Sequence, residues 1–123
     1  MKVLIAEDMA SIRMVFKDIL VRYCGLQEDN IYLANDGNHA VSEYFRIKPD
    51  LVFMDILMPH LDGKGALREI IKDDPNAHIL MCSTATEAIE ECMREGAKGY
   101  ILKPITPYGV KKALEKFTHK ENG

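Results

Sequence analysis

The sequence predicts an α/β fold: one three-layer (βα)5 domain with a parallel five-stranded sheet and helices on both faces. Two observations carry this. Five short apolar runs alternate with five amphipathic stretches along the 123 residues. The runs are mostly continuous, as strands covered on both faces should be. Strand–helix alternation repeated in this way implies parallel pairing through right-handed crossovers. The length suits a single domain with a single core.

The first strand is read at residues 3–6, Val3-Leu4-Ile5-Ala6. The first helix follows from Ile12, Val15, Phe16, Ile19, Leu20 and Tyr23, which recur at three and four residues and define one apolar face, with Gly25 at its end. The second strand, residues 30–34, is the weakest run and suits a sheet edge. The second helix carries Val41, Tyr44 and Phe45, starts at the candidate N-cap Asp36 and is followed by Pro49. The third strand occupies 51–54. The third helix has Asp62 as candidate N-cap, Leu67, Ile70 and Ile71 on its apolar face, and Pro75 beyond it. The fourth strand occupies 79–82. The fourth helix has Thr86 as candidate N-cap, an apolar face of Ile89, Cys92 and Met93, and Gly96 at its end. The fifth strand is read at 100–102. Thr106-Pro107 then reads as an N-cap followed by proline at the first helical position, with Val110, Ala113, Leu114 and Phe117 as the inner face. Residues 1–119 are assigned to the domain and 120–123 to a short tail; His119 onward is expected to be loose.

Composition narrows the class. Hydrophobic residues make up 47% and charged residues 28% of the chain, ordinary values for a soluble globular protein. A formal net charge of -3 argues against direct nucleic-acid binding, which calls for a basic surface. Cys24, Cys82 and Cys92 lack metal-ligand spacing, and Cys82 lies in an apolar run, so free thiols in a reducing compartment are expected. The N-terminus reaches Glu7-Asp8 too soon for a signal peptide, and no run is long enough to span a bilayer. The expected location is the cytoplasm, with no membrane contact.

The chemistry gathers at the strand ends. In open α/β sheets, ligands bind outside the carboxyl ends of the strands. There the first strand meets Glu7-Asp8, the third meets Asp55, the fourth meets Ser83-Thr84 and the fifth meets Lys103-Pro104. Taken singly, each group has a plain structural explanation. Glu7-Asp8 can start a helix, Asp55 can cap a loop, Ser83 can bond nearby backbone, Lys103 can sit on the surface and Tyr100 can pack on the sheet. Their convergence on one sheet edge is the stronger signal. Clustered carboxylates repel and call for a divalent cation; Mg2+ prefers oxygen ligands and often bridges to phosphate. Asp8 and Asp55 would bind it directly, Glu7 through water, and the Leu57 backbone carbonyl would add another oxygen. Asp55 would be the carboxylate nucleophile that becomes an acyl phosphate. Lys103 would neutralise the phosphoryl oxygens. The Ser83 hydroxyl would bond one of them only after modification, which makes it a switch element.

The chain resembles the receiver domain of two-component response regulators over residues 2–117. The likeness is carried by Val3-Leu4-Ile5-Ala6-Glu7-Asp8, by Leu51-Val52-Phe53-Met54-Asp55-Ile56-Leu57-Met58-Pro59, by Asp62-Gly63, and by Gly96-Ala97-Lys98-Gly99-Tyr100-Ile101-Leu102-Lys103-Pro104. The resemblance implies a flavodoxin-like, doubly wound sheet in the order 2-1-3-4-5. It implies that Asp55 accepts phosphoryl from a phosphohistidine on a sensor histidine kinase or histidine phosphotransfer protein, with Mg2+ at Glu7, Asp8 and Asp55. It also implies a cis peptide bond between Lys103 and Pro104. Tyr100 would rotate inward when the fourth-strand hydroxyl engages the phosphate. The surface of helix four, strand five and helix five would then change and bind a downstream target protein. The segment from Ser83 to Lys103 is shorter than the usual family pattern, with the deletion around Thr84-Ala85-Thr86-Glu87. Ser83 is taken as the switch hydroxyl and Thr84 as its alternative, because one residue of slip reverses side-chain direction in a strand.

These readings describe a phosphorylation-activated switch that catalyses only its own phosphorylation and dephosphorylation, acting alone as in chemotaxis or a phosphorelay. It would be a monomer or a phosphorylation-dependent dimer. The alternatives are a receiver fragment of a larger transcriptional regulator, an Mg2+-dependent phosphohydrolase and a flavodoxin-like cofactor module. The phosphohydrolase reading is disfavoured by Glu7-Asp8 where such enzymes usually carry Asp-x-Asp. The cofactor module is disfavoured because no Gly-rich loop follows the first strand.

Overall fold

A computed structural model describes the chain through residue 122, with side chains through Thr118. Five strands, β1 (Val3–Ala6), β2 (Ile31–Ala34), β3 (Leu51–Asp55), β4 (Ile79–Ser83) and β5 (Gly99–Leu102), alternate with five helices. The helices are α1 (Ala10–Arg22), α2 (Gly37–Ile47), α3 (Gly63–Asp73), α4 (Thr86–Arg94) and α5 (Pro107–Asn122). All strand pairs are parallel, in the order β2-β1-β3-β4-β5. This is the flavodoxin-like arrangement the resemblance implied.

The period-2 alternation of a strand explains why the apolar runs are continuous. Leu4, Ala6, Val52, Met54, Ile79 and Met81 face one core, where they meet Tyr44 of α2, Leu67 and Ile70 of α3, and Ile89 and Cys92 of α4. Val3, Ile5, Leu51, Phe53, Leu80 and Cys82 face the other, against Phe16, Ile19 and Leu20 of α1 and Val110, Leu114 and Phe117 of α5. The Phe16 and Phe53 rings pack at 4.7 Å between centroids. With helices on both sides, no strand residue of β1, β3 or β4 has a solvent face.

The ends of elements differ in part from the sequence reading. Asp55 and Ser83 belong to β3 and β4 themselves, because their backbones complete the ladder with Cys82 and Leu102. Asn30 belongs instead to a 3-10 turn at Glu28–Asn30, with its N–H on the Gln27 carbonyl. Asp36 and Asp62 cap α2 and α3 through the amides of His39 and Gly65, and the Thr106 hydroxyl accepts from Gly109 N–H. Thr86 does not cap α4. It is the first helical residue, and Ala85 holds the cap position without a side-chain bond. Ser83 takes over the local capping, its Oγ accepting from Ala85 N–H at 3.0 Å.

Val15 and Tyr23, assigned to the inner face of α1, lie 51% and 57% exposed, and Met93 of α4 is also exposed. They sit at the flanks of their apolar stripes, where the sheet does not reach. The expected loose tail is helical in its backbone as far as Asn122; Gly123 lies outside the described residues. Lys and Glu are good helix formers, so nothing in residues 118–121 stops α5. Among the described residues no helix is long and apolar enough to cross a membrane.

Candidate functional site

Parallel pairing brings the carboxyl ends of β1, β3, β4 and β5 to one edge of the sheet. The buried polar or charged residues among those described are Glu7, Asp55 and Ser83, all at that edge. Buried charges need partners, and here the partner is Lys103. Its Nζ lies 3.0 Å from Asp55 Oδ1 and 3.1 Å from Glu7 Oε1. Lys103 follows β5, where its own N–H donates to the Ser83 carbonyl at 3.0 Å and where the Lys103–Pro104 bond is cis.

Glu7, Asp8 and Asp55 each offer a carboxylate oxygen, and these oxygens lie within 4.8 Å of one another. Asp8 is exposed while its two companions are buried. The Asp8 carboxyl is held above the usual range, chiefly by its hydrogen bond with the Glu7 carboxyl, then by partial desolvation and the Glu7 charge. For Lys103, burial works against the ammonium, but its bonds to Asp55 and Glu7 outweigh this and raise its pKa. Beneath the cluster, burial pushes the Cys82 thiol far up, and the Asp55 charge adds to that. The donor set is all oxygen and acidic, which suits Mg2+.

The other predicted residues fall around this centre. Ser83 is buried at the end of β4, whereas Thr84 is exposed. The Leu57 side chain is 77% exposed, in the loop between β3 and α3. Tyr100 is 53% exposed on β5. Arg13 of α1 was not expected at the site. Its guanidinium donates to the backbone carbonyls of Glu7 at 2.6 Å and Asp8 at 3.0 Å, bracing the turn that presents both acids. Its five-residue spacing from Asp8 is the only trace in sequence, and such a spacing says nothing about a carbonyl acceptor. Gly63 enters the sequence reading only beside Asp62, as part of the resemblance, with no role of its own. A Cβ there would run into the Asp55 backbone, with the carbonyl carbon at 2.8 Å, so α3 starts hard against the strand that carries the acid.

A model of the response regulator receiver domain matches residues 3–115. The chain belongs to that family. It is 42% identical to the chemotaxis protein CheY of Thermotoga maritima, over 94% of this chain and 95% of that protein. The response regulator domain of Thermotoga maritima CheB superposes with a TM-score of 0.81 at 34% identity, covering 100% of this chain and 97% of that one. A structure of the CheX–CheY–BeF3–Mg2+ complex from Borrelia burgdorferi contains a chain that superposes with a TM-score of 0.82 at 28% identity, covering 94% of this chain and 87% of that one. Receiver domains are signalling switches that bind Mg2+ at an acidic pocket, and Glu7, Asp8 and Asp55 form such a group in this chain.

Proposed function

We propose that this receiver domain is switched by phosphorylation of Asp55. The observation that carries the reading is the ion pair of Asp55 with Lys103 at 3.0 Å beside two further carboxylates within 4.8 Å. An Asp55 oxygen attacks the phosphorus of a phosphohistidine on a sensor kinase or phosphotransfer protein. The P–N bond breaks, the imidazole leaves with its electron pair, and an acyl phosphate remains on Asp55. Glu7, Asp8, Asp55 and the Leu57 carbonyl hold Mg2+, which offsets the negative charge of the acids and of the incoming phosphoryl group. Lys103 keeps its bond to Glu7 and offers its remaining protons to a phosphoryl oxygen. Water then attacks the phosphorus, the P–O bond to Asp55 breaks, inorganic phosphate leaves and the Asp55 carboxylate is restored; no other substrate is turned over.

The output rests on Ser83 and Tyr100. Ser83 Oγ already accepts from Ala85 N–H, which leaves its own proton available for a phosphoryl oxygen. That bond draws the start of α4 toward the site and lets Tyr100 turn inward. Met93, Tyr100, Leu102 and Tyr108 are exposed on the face formed by α4, β5 and α5, and this is where a target protein binds. The domain works in the cytoplasm without touching nucleic acid, in a chemotaxis-type or phosphorelay pathway.

Intact-mass measurement after incubation with acetyl phosphate and Mg2+ tests the reading. The wild type gains one phosphoryl group, the gain is lost on chelation, and Asp55→Asn gains none. An unmodified wild type, or an equal gain in Asp55→Asn, refutes it.

A further inference from the structure

We infer that Gly37, the first residue of α2, is a positioning residue for the metal and phosphoryl site, an inference that rests on the phosphoacceptor reading of Asp55. The loop between β3 and α3 starts at Asp55, carries Leu57, and closes with Gly63 N–H donating to the Ile56 carbonyl at 2.8 Å. Gly37 is buried against its far side. A Cβ on Gly37 would lie 2.6 Å from the carbonyl carbon of Leu61 and 2.8 Å from its Cβ, with the carbonyl oxygen closer still. Gly37 does not lie in the left-handed region, so the need is for space. Carbon atoms in ordinary contact stand about 3.5–4.0 Å apart, so even a methyl group demands a shift of about 1 Å.

Helix α2 cannot supply that shift cheaply. Asp36 caps it through His39 N–H at 2.7 Å, and Ala40, Tyr44 and Ile47 are buried along it. The Tyr44 hydroxyl also donates to Asp74 Oδ2 at 2.6 Å, tying α2 to the end of α3. Leu61 and its loop must yield instead. His60 already sits at φ 67° in that loop, and the Gly63–Ile56 bond ties the α3 end of the loop to Ile56, so a shift at Leu61 is handed on to Ile56 and Leu57 beside Asp55. Gly37 thus sets the site through a backbone carbonyl, from a helix that contributes no charged group to it.

The test compares Gly37→Ala with the wild type and with Gly25→Ala. Gly25 has φ 74° and open space around it, so alanine there strains the fold without touching the loop. Mg2+ affinity is measured by calorimetric titration, and phosphorylation by acetyl phosphate is followed by intact mass, both at a temperature where circular dichroism shows each protein folded. A 1 Å displacement at a catalytic centre can cost about a hundredfold, so Gly37→Ala is expected to weaken Mg2+ binding and slow phosphorylation by about ten- to a hundredfold. Gly25→Ala changes neither while lowering the melting temperature. Wild-type values in folded Gly37→Ala overturn the inference. If Gly37→Ala does not fold, the wild-type amide spectrum decides: the Gly37 resonance shifts on Mg2+ binding if the loop couples the two, and a silent Gly37 refutes it. A wild type that takes up neither Mg2+ nor phosphoryl instead overturns the phosphoacceptor reading, and this inference with it.

Discussion

Replacing Asp55 by asparagine should stabilise the metal-free protein. At an effective dielectric constant of about 20, the Lys103 ammonium at 3.0 Å attracts the Asp55 carboxylate by about 5.5 kcal/mol. Glu7, within 4.8 Å, repels it by at least about 3.5 kcal/mol on the same scale. Asp8 is exposed and therefore screened, and about half that value is appropriate for it. Attraction and repulsion are then of about the same size. What remains is the desolvation of a carboxylate that is 5% exposed, a cost with nothing left to offset it. Asn keeps the shape and can still accept from Lys103, so Asp55→Asn is expected to gain about 1–2 kcal/mol in EDTA, or roughly 4–8 °C in melting temperature. Mg2+ at ten times its dissociation constant returns about 1.4 kcal/mol to the wild type and less to the variant, so the gap narrows. Thermal melts of both proteins in EDTA and in a Mg2+ series measure this. An Asn variant that melts at or below the wild type in EDTA, or a gap that Mg2+ leaves unchanged, refutes the argument that this cluster is held against its own charge.

Tyr44 gives an alkaline signature. Its buried phenol is held above its ordinary pKa of 10.0, first by burial and then by its bond to Asp74. A raised folded pKa means stability that is fully present below the unfolded value and lost as pH rises past it, so urea stability should fall above about pH 10. Tyr44→Phe should cost about 1 kcal/mol at pH 7 and flatten that fall; parallel alkaline curves for the two proteins would contradict it. The thiols should separate by burial. Cys24 is half-buried whereas Cys82 and Cys92 are fully buried, so Ellman's reagent should label Cys24 first and the other two only in urea. Equal labelling rates would show that the core opens readily.

The centre of the sheet was legible because β1, β3 and β4 are buried on both faces, which writes an unbroken apolar run into the chain. The strand ends were less so. Asp55 and Ser83 complete the ladder with their backbones, and a backbone bond does not depend on side-chain type. The flanks of the helices were misread for a related reason: periodicity gives the direction of an apolar stripe, but its width in contact depends on where the sheet ends, so Val15 and Tyr23 are left outside. At the site, Glu7, Asp8, Asp55 and Lys103 were readable because each is a charged group whose presence at a strand end needs a partner of the other sign. Arg13 and Gly37 were not. Arg13 donates to the carbonyls of Glu7 and Asp8, and Gly37 makes room for the carbonyl of Leu61. A carbonyl is the same in every residue, so no complementary residue type elsewhere in the chain marks such a contact. At this site the sequence announces groups that meet other side chains, and it conceals those that meet backbone carbonyls. Residues of the second kind hold the two loops that bear this site, so a substitution there can disable the site with Glu7, Asp8, Asp55 and Lys103 all in place.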